Sequence, residues 1–196
     1  GDPEALEALK KQGARLEQLI DAVDGLQPRG VKRERIMPRE VAAPAVEILK
    51  ERCAEQGVTL ELDIAEPQSS FFGYRHQWIQ LCTHLLDNAC RYAERLPGGQ
   101  GVVKMSIYTH VYRSGRRQLR MEVRNNGAVL TPQVQEKAFE PFFTTEEGHL
   151  GLGLSFAKSV VLDHGGELTL KQEDEWVVAT VVLPLEQGSV PVSLEL

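Results

Sequence analysis

Residues 75–95 constrain this chain more than any other stretch. Trp78, Leu81, Cys82, Leu85, Leu86 and Ala89 recur at helical spacing, and Pro97-Gly98-Gly99 stops the run. A helix with so wide an apolar stripe gains its stability by packing that stripe against another layer. The residues that follow change period from about 3.6 to 2. Residues 102–112 and 118–124 read as a hairpin turning at Ser114-Gly115. Residues 58–64 alternate in the same way, residues 167–172 and 177–183 read as a final strand pair, and residues 31–36 as a short strand. The pattern is one of mixed helices and strands.

Three further helices are expected. Residues 38–56 form one, with Pro38 near its start and Gly57 after its end. Pro44 either kinks it or moves its start later. Residues 131–138 form a short one, with Thr131 as N-cap and Pro132 at the first helical position. Residues 154–163 form the last, opened by a glycine loop and stopped by His164-Gly165-Gly166. Upstream, Leu6, Leu9, Leu16, Ile20 and Val23 lie on a heptad ladder with Gly13 on one rung, which favours a helix paired with a second copy. The ladder breaks at Gln27-Pro28-Arg29-Gly30. Residues 1–27 are therefore expected as a coiled-coil-like helix, 28–32 as a linker, 33–186 as the core-bearing domain and 187–196 as a loose tail.

Composition excludes several classes. With 42% hydrophobic and 26% charged residues the 196-residue chain is globular rather than disordered. No run approaches the roughly 18 apolar residues that span a bilayer, and no signal peptide opens the chain, so a cytoplasmic location is expected. A net charge of −6 argues against nucleic acid as a partner, and Arg113, Arg116, Arg117 and Arg120 read as a solvated turn. Cys82 and Cys90 share one helix about 12 Å apart, too far to bridge, and Cys53 completes a set read as buried thiols. No CxxC or HxxxH pair offers a structural metal site.

Three features carry candidate chemistry. On a second side of the long helix, Gln77, Gln80, His84, Asn88 and Arg91 follow helical spacing, either as a wet surface or as a site. The Asn88 amide oxygen suits a hard cation such as Mg²⁺, and His84, one turn earlier, can orient or deprotonate a neighbour. Gly148-His149-Leu150-Gly151-Leu152-Gly153 opens a helix, where glycines admit close approach and the helix N-terminus attracts phosphate; plain turns are also glycine-rich. No Gly-Lys-Ser/Thr follows, so this is not a Walker loop. Ahead of it, Phe139-Glu140-Pro141-Phe142-Phe143-Thr144-Thr145 reads as a hinge or lid, or as core.

Taken in order, Leu85-Leu86-Asp87-Asn88-Ala89, Asn125-Asn126-Gly127, Phe139 through Thr145, Gly151-Leu152-Gly153-Leu154 and His164-Gly165-Gly166 resemble the N, G1, F and G2 boxes of sensor histidine kinases. The resemblance is to their catalytic ATP-binding domain and covers about residues 33–185. It implies a two-layer α/β sandwich of the Bergerat type, classed α+β, with a mixed sheet and helices on one face. The N-terminal helix then resembles the end of a dimerisation and phosphoacceptor domain. It further implies that Asn88 ligates Mg²⁺ and, with His84, serves the chemistry. Arg91 approaches phosphate, and Tyr92 packs near base or ribose. Asn125 and Gly127 sit at the base. Phe139 and Phe142 anchor the lid, and Gly148, Leu150, Gly151, Leu152, Gly153 and Leu154 line the triphosphate. The implied activity is transfer of the ATP γ-phosphoryl to a histidine. The implied partners are a phosphoacceptor domain, a response regulator and a second copy.

The chain departs from that pattern at the base. The family's G1 box reads Asp-x-Gly-x-Gly; here the positions hold Asn125, Asn126, Gly127, Ala128 and Val129. Trp176-Val177-Val178-Ala179 holds no threonine to support the first of them, and His149 stands at the first G2 glycine. The histidines are followed by Gln77, Leu85, Val111, Leu150 and Gly165, so none has the acidic neighbour of a phosphoacceptor and the acceptor is expected outside this chain. These departures support a second reading, a degenerate module that binds a partner kinase or response regulator without phosphoryl transfer. They also allow an altered base preference, since the Asn125 amide can donate to guanine O6.

Overall fold

A computed structural model describes residues 32–65, 69–127, 129–146 and 149–185. The heptad helix, all but the last residue of the expected linker, Ala128, Gly148 and the tail after residue 185 lie outside the described residues. The strands are β1 (Glu34–Ile36), β2 (Val58–Ile64), β3 (Phe71–Gly73), β4 (Gly101–Val111), β5 (Arg117–Asn125), β6 (Glu167–Glu173) and β7 (Trp176–Leu185). The helices are α1 (Arg39–Glu55), α2 (Arg75–Ala93), α3 (Pro132–Lys137) and α4 (Gly153–Asp163).

Five strands form one mixed sheet in the order β2-β4-β5-β7-β6. Strands β2 and β4 run parallel, with α2 in the crossover between them, and the remaining neighbours are antiparallel. The period-2 alternation determines which side chains meet the helices. Val103, Met105 and Ile107 of β4, Leu119, Met121 and Val123 of β5, Val181 of β7 and Leu168 of β6 are all buried. On the reverse face Tyr108, Arg120, Glu122 and Arg124 form a polar cluster, with the Tyr108 hydroxyl donating to Glu122 at 2.8 Å. One face of the sheet is thus covered by helices, as the resemblance implied.

The stripe of α2 is the centre of this core: Trp78, Leu81, Cys82, Leu85, Leu86 and Ala89 are all buried. The three cysteines are buried and unbridged. Burial pushes the Cys82 thiol up to about 12, so it stays protonated at neutral pH. Gln77, expected on the polar side, is buried as well. The polar face of α2 therefore begins one turn later, at Gln80 and His84.

Pro44 does not delay α1; it sits exposed inside the helix, where the absent N–H breaks one backbone bond on the solvent side. Thr131 caps α3 as expected, its hydroxyl accepting from Val134 N at 3.3 Å. Phe71-Phe72-Gly73, read only as a lead-in to the long helix, pairs with Glu34–Ile36 as a separate two-stranded ribbon. Gly73 has to be glycine here, since a Cβ would lie 2.6 Å from Trp78 Nε1 and 2.9 Å from His164 Nε2.

Candidate functional site

A cleft of about 640 Å³ opens between α2, the start of α4, residues 143–146 and 149–150, and the helix-covered face of the sheet. Its two ends differ in chemistry.

One end is ionic and is built on the last turns of α2. The Asp87 carboxylate bridges two guanidiniums, Arg52 from α1 and Arg91 one turn on, the latter at 3.0 Å. Arg91 also reaches Glu146 of the loop at 3.1 Å. Glu146 pairs in turn with Arg95 and lies 3.6 Å from His149 Nδ1. Beside it the Tyr92 hydroxyl and Thr145 Oγ1 share a 2.7 Å hydrogen bond, and Arg95 lies over the Tyr92 ring. Three guanidiniums against two carboxylates leave one positive charge uncompensated within this network. Burial works against the Arg52 charge, but the Asp87 pair outweighs it and raises the Arg52 pKa. Arg52 Nη2 and Arg91 Nε are buried without a hydrogen-bond partner among the described residues. With that excess positive charge and two arginines in its lining, this end suits an acceptor-rich anion.

The other end is apolar and is built by sheet register. Val123, Ala179 and Leu170 lie side by side across β5, β7 and β6 and form a floor. In the next row Asn125 stands between Val103 and Val177. Asn125 is 5% exposed and its Nδ2 has no hydrogen-bond partner among the described residues. It lines the cleft together with Leu130, Val134 and Ala138.

The structure brings His84, Asn88, Arg91, Tyr92, Asn125, Leu150, Gly151, Leu152, Gly153 and Leu154 together in the cleft lining. The His84 ring packs edge-on against Phe156, and a Cβ on Gly153 would come within 3.2 Å of its Nδ1. Gly153 thus lets α4 start directly over His84. Gly151 has φ +67, and a Cβ there would meet the Phe143 carbonyl oxygen at 2.3 Å. Its own carbonyl accepts from Phe142 N at 3.1 Å, which ties the two ends of the loop together.

Three expected site residues lie outside the lining. Gly127 packs backbone to backbone on the end of α2, where a Cβ would stand 2.1 Å from the Tyr92 carbonyl oxygen. Phe139 packs against the core with Lys158 over its ring. Phe142 is 66% exposed and takes φ +67 in the turn that the Gly151 contact closes. Gly148 is outside the described residues. The residues not anticipated are Arg52 and Glu146. Arg52 sits on a helix whose pattern gave no sign of reaching the cleft. Glu146 directly follows the aromatic segment, but no arginine lies within twenty residues of it in the sequence, so nothing there signals its arginine partners on α2.

This is the fold and cleft of one ATPase family. The profile described as histidine kinase-, DNA gyrase B-, and HSP90-like ATPase matches residues 73–187, and the chain belongs to that family. Within it the similar proteins are sensor kinases. The nisin biosynthesis sensor protein NisK of Lactococcus lactis subsp. lactis is 34% identical over 106 residues, 52% of this chain and 22% of NisK. The sensory histidine kinase/phosphatase NtrB of Vibrio alginolyticus is 23% identical over 178 residues, 89% of this chain and 50% of NtrB. This chain thus spans half or less of the curated relatives it matches. The fold is shared with histidine kinase ThkA, solved in complex with response regulator protein TrrA. There the TM-score is 0.70 at 22% identity, over 97% of this chain and 53% of ThkA. Membership of the family carries ATP binding with it. No helix among the described residues is long and apolar enough to cross a membrane.

Proposed function

We propose that this chain is the catalytic domain of a sensor histidine kinase, delivering the γ-phosphoryl of ATP to a histidine supplied from outside it, in two-component signalling. The observation that carries this reading is the polarity of the cleft: the arginines Arg52 and Arg91 line one end, and an apolar slot with one amide forms the other. A nucleoside triphosphate has that polarity.

The residues divide the work by position. Arg91 and Arg52 hold phosphate oxygens. Asn88 opens onto the cleft and is the residue that would hold Mg²⁺, whose charge neutralises the phosphates during transfer. His84, fixed by Phe156 and the start of α4, orients groups beside Asn88. The loop carrying Thr145 and Glu146 covers the phosphates and excludes water. Catalysis by positioning and charge neutralisation needs no covalent step on the protein. A phosphoacceptor domain and a response regulator are the proposed partners, with pairing of two copies through residues 1–27 and a cytoplasmic setting. Sedimentation at several concentrations tests the pairing, and a strict monomer removes it.

Calorimetric titration with ATP, with and without Mg²⁺, tests the central claim. We expect binding that strengthens with Mg²⁺, and an Asn88→Ala variant that loses the Mg²⁺-dependent part. Absence of heat at millimolar ATP overturns the reading. The carboxamide at Asn125 favours a second reading, a module that binds nucleotide and a partner without transfer. Radiolabelled ATP with an acceptor domain in trans separates the two, since only a kinase labels the acceptor.

A further inference from the structure

Two buried thiols take no part in the chemistry above, yet they sit directly behind the ionic end of the cleft. Helix α1 packs on α2, and its buried side is the ladder Val41, Ala42, Ala45, Leu49 and Cys53. Near the end of each helix the Arg52–Asp87 ion pair crosses from one to the other. Beside that pair stand Cys53 on α1 and Cys90 on α2. Each is 1% exposed, and a hydrogen bond joins their side chains. Cys82 lies about 12 Å from Cys90 along α2, with its Sγ 3.7 Å from Met121 Sδ. The contact therefore selects one pairing among the three cysteines. We propose that Cys53 and Cys90 are an oxidative modification site, closed to a disulfide by a peroxide, and that this bond weakens binding at the ionic end; the second half rests on the nucleotide reading above.

The step balances with hydrogen peroxide as the oxidant. One thiol gives up its proton, and its sulfur attacks a peroxide oxygen and breaks the O–O bond. A sulfenic acid forms and the first water leaves. The second thiol attacks that sulfur, the S–S bond forms, and the sulfenic hydroxyl leaves with the second thiol's proton as a second water. Two electrons pass from the two sulfurs to the peroxide.

The setting governs the rate. Burial and the Cys53 contact hold the Cys90 thiol well above its ordinary value, while the Arg52 guanidinium pulls it down and Asp87 pushes it up. The thiol is the resting form, so oxidation runs through the small thiolate fraction that Arg52 favours and is slow. An S–S bond is about 2.05 Å long, much shorter than a hydrogen bond between thiols. Closing it draws α1 and α2 together where Arg52 meets Asp87, and Asp87 also holds Arg91. One covalent bond thus displaces both arginines of the ionic end.

The test treats the full chain with hydrogen peroxide, then maps thiols by mass spectrometry after digestion without reductant. The expected product is a single chain lighter by about 2 Da, with Cys53 and Cys90 in one cross-linked peptide and Cys82 free. Cys82→Ala should still form the bond, and Cys53→Ala should form none. Loss of no thiols, a cross-link through Cys82, or one between two chains overturns the proposal. The mapping on the natural sequence stands even where a variant fails to fold. Calorimetry then compares ATP binding before and after oxidation. The oxidised chain is expected to bind ATP at least about threefold more weakly, with full recovery in dithiothreitol, which does not reverse methionine oxidation. Unchanged affinity overturns the link to the cleft. If the reduced chain binds no ATP, the nucleotide reading fails, a result separate from the thiol map.

Discussion

The two ends of the cleft hold their shape by opposite means. At the ionic end, side chains on α2, α1 and the loop are locked to one another through Asp87 and Glu146, and the geometry depends on the charges being present. At the apolar end, shape comes from close packing of strands, and Asn125 is a passenger in a row that would stand without its polarity. Charges can be altered by a ligand, by salt or by an incoming phosphate; strand packing cannot. The ionic end is therefore the adjustable part of the site and the apolar end the fixed part.

The largest way to break that contrast is Arg91→Ala. It removes the one guanidinium that joins Asp87 to Glu146, and with it a charge-assisted contact to phosphate. ATP affinity should fall about 100-fold, near the upper range of about 3 kcal/mol for hydrogen bonds to charged groups. Calorimetry measures the loss, and titration with adenosine should show almost none. Equal losses for ATP and adenosine would mean that the two ends are not independent.

A smaller effect is expected from Glu146→Gln, which leaves three guanidiniums facing only Asp87. The freed positive charge should tighten ATP binding about 3- to 10-fold at low salt, and the gain should shrink in 1 M salt as the Debye length falls from about 10 to about 3 Å. A weakened affinity would show that Glu146 supports the phosphate site rather than competing with it.

The smallest effect lies outside the cleft, at His164 on the end of α4. Burial lowers the pKa of this ring, while the Val160 carbonyl, accepting from Nδ1 at 2.7 Å, pulls the other way. Trp78 Nε1 donates to its Nε2, which fixes the neutral form. A folded pKa below the unfolded value of about 6.5 means that the unfolded chain binds the extra proton first. Stability is complete above that value and is lost as pH falls through it towards the folded one. Between pH 7.5 and 5.5 the melting temperature should drop further than in His164→Asn, by on the order of 2 °C. Circular dichroism melts at the two pH values decide it, and parallel melting curves for the two proteins would count against the assignment.

The contrast between the ends also explains what could be read before the fold was in view. His84, Asn88 and Arg91 share a helix, so spacing alone places them on one side, and Thr131 and Pro132 announce their own helix start. Arg52 and Glu146 enter the site from other elements, and helical period says nothing about which neighbour a long side chain will meet. Val123, Ala179 and Leu170 become adjacent only through the pairing of β5, β7 and β6, which is set by the whole sheet. Gln77 shares the spacing of that polar side yet is buried, because period assigns a face but not where along the helix that face goes under cover. The short strand over residues 31–36 is legible, but its partner β3 is not, because three residues are too few to show alternation.

Gly127 fixes a quantity that no side chain in the cleft controls. Because the chain just after β5 rests main chain against main chain on the end of α2, the spacing between the backbones that carry Asn125 and Arg91 does not depend on either side chain. Side chains at either end can then be exchanged without resizing the gap between them. For a protein engineer this makes base selectivity and phosphate affinity separable design variables on one scaffold.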